Sequence, residues 1–412
     1  MSDSTLTFYG LGIAPKVLEV LNRIRFTTPT PIQHKAIPLG IEGKDVMGVA
    51  QTGTGKTLAF SIPMVQLLAA SATGMGLVLV PTRELAYQVE ETVRKVAQPF
   101  GLRSVILVGG ASMHHQVQEL RRGPRLIIAT PGRLIDHLTE QRTVKLDKVS
   151  VLVLDEADRM LDMGFAPQIN EILRHVPKER QTMLFSATMP PAIMSMAARH
   201  MKLPVHVQVA PSGTAAERVA QELFIIRREA KNDLLQKVLG QYRGSVLLFS
   251  RTKHNASRLV RVIRQMGHSV AEIHSDRSLG QRKAALDGFK VGRFRVLVAT
   301  DIAARGIDVK GIELVINYDL PDDAENYVHR IGRTGRAGME GRAISFATPD
   351  QFELVENIQK TIRADIPVAK HPDIPGEEFL LPVRSVNAPR PVSSGNKRFS
   401  GRRFSARRFG RR

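Results

Sequence analysis

At 412 residues with 43% apolar side chains, the chain is long enough for two or three domains with ordinary buried cores. It contains no cysteine, which excludes disulfides, Cys-ligated zinc and thiol nucleophiles, and its twelve histidines show no metal-ligand spacing. The 59 Lys+Arg against 39 Asp+Glu leave a net charge of +20, which points to a polyanionic partner.

Read from the N-terminus, MSDSTLTFYG lacks the basic-then-apolar order of a secretory signal, and no run of about 18 apolar residues follows. The expectation is a cytoplasmic protein that does not enter a membrane. The run DVMGVA reads as a short buried strand. Behind it Ala50, Gln51, Thr52, Gly53, Thr54, Gly55, Lys56 and Thr57 lead into the helical LAFSIPMVQLL. Gly53 and Gly55 let backbone amides wrap a phosphate, Lys56 reaches the terminal phosphates, and the Thr57 hydroxyl suits magnesium. Pro63 inside that helix is expected to kink it.

Strands GLVLVP, SVILVGG and RLIIATP come next, with the adjacent His114 and His115 read as surface residues. VLVLDEAD then delivers Asp155 and Glu156 at the end of an apolar run. Alone, such a pair would read as a helix cap. Beside a phosphate loop, Asp155 suits the metal and Glu156 the attacking water. TMLFSAT and VHVQV close this series, and Met183, Met189, Met194, Met196 and Met201 read as packing residues.

After the polar stretch Pro211–Glu217 the alternation restarts with QELFII, SVLLFS, SVAEIHS, FRVLVATD, ELVINYD and RAISFAT. Apolar, β-branched runs between amphipathic stretches predict two α/β domains, each a parallel sheet covered by helices. The polar strand ends of both would gather ligands in a composite cleft. Domain bounds are expected at 1–209 and 219–366, with a linker over 210–218 and a disordered basic tail over 367–412. Ten Lys/Arg and no acid lie in Arg384–Arg412, where KRFSG, RRFSA and RRFGR alternate cations with phenylalanine. Such a tail is either an RNA tether or a solubilising segment.

The phosphate loop, the tetrad Asp155-Glu156-Ala157-Asp158, Ser186 to Thr188 (SAT) and His329 to Arg336 (HRIGRTGR) together resemble the DEAD-box RNA helicases. The short core and basic tail most resemble the bacterial RhlE-like members. The resemblance implies two tandem RecA-like domains, ATP and magnesium as cofactors, and RNA bound without base readout by a monomer. Ribosome assembly and RNA decay are both implied settings. In PTPIQ it implies Gln33 and Phe26 as adenine contacts, with Phe8 as the upstream aromatic, although Arg25 stands where the family has glycine. It implies that Ser186 and Thr188 couple the phosphate site to closure, that Arg333 and Arg336 reach the γ-phosphate, and that Asp308 meets the ribose or braces these arginines. RNA contacts carried over are Pro81, Thr82, Arg83, Gly109, Gly110, Thr130, Arg133, Arg251, Arg282 and Thr300. Leu279 departs from the family's usual glutamine.

Overall fold

Every apolar run singled out above forms a strand, and every strand pairing is parallel. In the computed structural model, which describes residues 7–50, 53–209, 219–301, 309, 311–335 and 341–380, thirteen strands build two sheets. The first contains β1 (Val46–Val49), β2 (Met75–Leu79), β3 (Ser104–Leu107), β4 (Leu126–Ala129), β5 (Val149–Asp155), β6 (Gln181–Ser186) and β7 (Val205–Gln208), in the order β3-β4-β2-β5-β6-β1-β7. The second contains β8 (Val219–Ile225), β9 (Val246–Phe249), β10 (Val270–Ile273), β11 (Val296–Ala299), β12 (Leu314–Asn317) and β13 (Gly341–Ala347), in the order β10-β11-β9-β12-β13-β8. Most central strands are buried on both faces because helices cover each side, so they read as continuous apolar runs instead of alternating ones. Among the described residues no helix is long and apolar enough to cross a membrane.

Each sheet separates two apolar clusters, one per face. In the first lobe the helix Lys56–Ala70 is buried almost all round and runs through Pro63 without a break. The helix Pro31–Ile41 crosses it closely, since a Cβ at Gly40 would fall 2.7 Å from the Pro63 ring.

Three sequence expectations are corrected. Phe8 is 3% exposed inside the first lobe's main cluster, so it is a core residue with little ring surface left for a base. Met194 is 41% exposed and is not a packing residue. The second lobe does not end at 366. Residues Pro367 and Ala369 bond across to Leu223 of β8, Glu377 to Ile225, and Phe379 packs on the core. This strap covers the outer edge of β8, whose unpaired amides and carbonyls would otherwise invite another strand. The tail from 381 onward lies outside the described residues.

Candidate active site and RNA face

Strand β1 is followed by Ala50, whose amide donates to the Ser186 carbonyl and so ties the phosphate loop to β6. Gly53 (φ 85°) and Gly55 (φ 91°) take left-handed backbone, which glycine adopts without steric cost. A side chain on Gly55 would collide with the Gln33 amide. Gln33 in turn donates from Nε2 to the Gly55 carbonyl (3.0 Å) and accepts at Oε1 from the Thr30 amide (2.9 Å). Its amide keeps one hydrogen and one lone pair for a base edge. Lys56 opens the helix, buried, with Nζ donating to the Ala50 carbonyl at 2.8 Å. Thr54 and Thr57 are half-buried beside it, whereas Gln51 and Thr52 lie outside the described residues.

Phe26 is 41% exposed and free to stack. Arg25 before it has φ 59°, the conformation that explains why glycine is usual there.

Strand β5 ends at Asp155, whose carboxylate Oδ1 accepts from the Glu156 amide (3.0 Å). Burial pushes the Asp155 carboxyl up to about 7; Lys56 opposes the rise and Glu156 adds to it. Asp158, outside the residues assigned from sequence, organises the next segment. Its Oδ2 accepts from the amides of Ala187 (3.0 Å) and Thr188 (2.9 Å) and from the Thr188 hydroxyl (3.0 Å), while its own amide donates to Ser186 Oγ. Burial alone would raise the Asp158 carboxyl, but Lys56, the Thr188 amide and Arg159 hold it below the ordinary range.

The second lobe closes on this site. His329, Arg330 and Arg333 line one small cavity together with Phe249, Asp301 and Asn326 of their own lobe and Arg159 of the first. Burial, reinforced by Arg159, keeps His329 well below the usual histidine range and therefore neutral. Arg330 is a brace: Nε and NH2 bind the Asp301 carboxylate at 2.6 and 2.7 Å, NH1 reaches the Asp319 carbonyl, and the guanidinium lies 4.9 Å from the Phe249 ring centre. Arg333 is buried with Nε donating to the His329 carbonyl. Arg336 and Asp308 lie outside the described residues.

Loops at the carboxyl ends of β2, β3 and β4 bring together the first lobe's expected RNA residues. Pro81 precedes Thr82, which caps the helix Arg83–Ala97 by accepting from the Leu85 amide. The Arg83 guanidinium lies against Gly109 and Gly110, where any side chain would displace it. Arg133 donates to the Ala111 carbonyl (3.1 Å), which links the segment starting at Thr130 to the same loop. In the second lobe Arg251 is exposed beyond β9 and Thr300 is half-buried beyond β11.

Arg282 does not join them at the surface. It is buried and pairs across the lobes with Glu84 at 3.0 Å. Beside it Lys283 stands over the Tyr87 ring, and Leu279 packs against the first lobe's core. Its partner could not be read from sequence because the two residues belong to different lobes.

Two RecA-like lobes that set a phosphate loop against an arginine-bearing helix define a two-lobed nucleotide-driven motor. A DEAD/DEAH box helicase profile matches residues 30–196, and a helicase conserved C-terminal domain profile matches residues 230–338. The chain is 42% identical over 363 residues to the ATP-dependent rRNA helicase RRP3 of Debaryomyces hansenii, spanning 88% of this chain and 76% of that protein. It is 41% identical over 372 residues to the DEAD-box ATP-dependent RNA helicase CshA of Bacillus subtilis, spanning 90% and 75%. Its fold matches S. cerevisiae Dbp5 bound to RNA and ADP BeF3, with a TM-score of 0.79 at 33% identity over 88% of this chain and 95% of that one. The chain belongs to the DEAD-box family of ATP-dependent RNA helicases.

Proposed function

We propose that this helicase opens short RNA duplexes by closing its two lobes on ATP and RNA, gripping the sugar-phosphate backbone without reading bases. The observation that carries this reading is the interlobe cavity, where Arg159 of the first lobe meets His329, Arg330 and Arg333 of the second. Lys56 supplies the countercharge for the terminal phosphates. Glu156 orients a water and takes its proton as the water oxygen attacks the γ-phosphorus; the bond to the bridging oxygen breaks and ADP leaves. Arg333, joined by Arg336, meets the charge that develops on the transferred group.

Thr57 and Asp155 would hold magnesium. A buried carboxylate whose nearest cation is one lysine suits a dication, which would neutralise charge on the phosphates. Phe26 and the free edge of Gln33 would receive adenine. Arg83, Arg133, Arg251 and the backbone at Gly109 and Gly110 are suited to phosphate and 2′-hydroxyl oxygens.

The short core followed by an arginine-rich end supports a place among RhlE-like members, and the RRP3 relatives, being rRNA helicases, support structured ribosomal RNA as the substrate. The test is ATP turnover with and without RNA, alongside release of a strand from blunt-ended and 3′-tailed short duplexes. We expect RNA-stimulated turnover and strand release, both lost in Lys56→Ala. Turnover indifferent to RNA, or unaffected by Lys56→Ala, would overturn the reading.

A further inference from the structure

Glu156 stands on strained backbone. With φ 54° and ψ 50° it lies in the left-handed region, which costs a non-glycine residue about 1–2 kcal/mol. Such outliers persist where the surroundings hold them, often at functional sites. At the N-cap of the helix Ala157–Asp162, a short polar side chain such as Asp or Ser would ordinarily accept from the first free helical amides. Glu156 makes no such bond.

Its carboxylate Oε2 instead accepts from Arg159 NH1 at 2.8 Å, and the two side chains are only 4% and 3% exposed. Arg159 is itself anchored, because its amide donates to Asp158 Oδ1 and the Asp158 carboxylate gathers Ala187 and Thr188. Arg159 also lines the interlobe cavity together with Arg333 and His329. Arg330, which lines the same cavity, is committed to Asp301.

We propose that Arg159 is a positioning residue for ATP cleavage: it holds the Glu156 carboxylate by one oxygen, leaving the other to receive the water, at a wall the second lobe completes. The inference rests on the reading of Glu156 as the base. A guanidinium suits the task because its fork of donors stays charged and fixes the plane of a carboxylate, where an ammonium supplies only a point charge. Arg159 touches no reacting atom. Its influence passes through Glu156.

The experiment uses the full chain at saturating ATP and RNA. Arg159→Gln should lower kcat by about 10²-fold, the scale of misplacing a catalytic group by an ångström. KM for ATP and the half-activating RNA concentration should stay within about threefold, and Arg159→Lys should recover part of the rate. A residue acting through Glu156 also predicts non-additivity: Arg159→Gln combined with Glu156→Gln should be no slower than Glu156→Gln alone.

Multiplied losses in the double variant, wild-type kcat in Arg159→Gln, or KM rising in step with the fall in kcat would each overturn the proposal. Should Arg159→Gln fail to fold, Arg159→Lys carries the test, with reduced kcat at unchanged KM expected and wild-type kcat refuting it. Undiminished turnover in Glu156→Gln would instead remove the base assignment itself, so the two failures are told apart.

Discussion

Truncating Glu84 separates lobe closure from folding. Its partner Arg282 sits 3.0 Å away in the other lobe, with side-chain exposures of 7% and 10%. Removing one member of a buried ion pair costs about 3–5 kcal/mol when the other charge stays buried. Here the stranded cation has an escape, because opening the lobes returns Arg282 to water. The cost therefore falls on the closed state and leaves each lobe's fold intact. Closure weakened by about 3 kcal/mol corresponds to roughly 10²-fold in the closing equilibrium. For Glu84→Ala we expect the RNA concentration for half-maximal ATPase to rise by up to that factor, with an unchanged melting temperature for the nucleotide-free protein. The swap Glu84→Arg with Arg282→Glu should restore much of the loss. A drop in melting temperature with unaltered RNA dependence would show that the pair stabilises folding, and the argument from opening would fall.

Other expectations follow from single residues. Arg25→Gly should stabilise the chain by about 0.5–1 kcal/mol, since relief of a left-handed non-glycine residue (about 1–2 kcal/mol) exceeds glycine's added entropy cost; a lower denaturation midpoint would contradict this. Asp155 rises from 3.8 to about 7 on folding, chiefly through burial, so its ionisation opposes folding increasingly between those values and fully above the higher one. Without nucleotide or magnesium, Asp155→Asn should therefore gain up to about 4 kcal/mol over wild type at pH 8 and almost nothing near pH 4; a gain independent of pH in chemical denaturation would refute it. Arg333→Ala should lower turnover by about 10³-fold with a small change in ATP affinity, whereas equal losses would make Arg333 a binding residue only.

Much of this architecture is legible in the sequence. All thirteen strands fall on apolar runs read from the sequence, and the glycines of the phosphate loop sit where left-handed backbone is required. The less legible features are long-range. Phe8 reads as the isolated upstream aromatic in the linear motif order, yet burial decided its role, and Leu11 and Ile13 share its cluster. Asp158 was visible as the last letter of a tetrad, but its service to Ala187 and Thr188 depends on β5 and β6 being neighbours. The strap after 366 is polar and proline-rich and reads as tail. It is ordered by carbonyls and amides that β8 offers at its free edge.

By itself the sequence determined the properties set within a few residues: where strands run, where the backbone must turn through glycine, and which side chains carry phosphate and acid–base chemistry. Hydrophobic period and turn chemistry are local, so they survive in one dimension. Only the tertiary structure decided which charges are already spent. Arg282 is committed to Glu84 and Arg330 to Asp301. A cation's availability for RNA or nucleotide depends on the buried partner that folding and closure bring beside it, and no spacing along the chain records that distance.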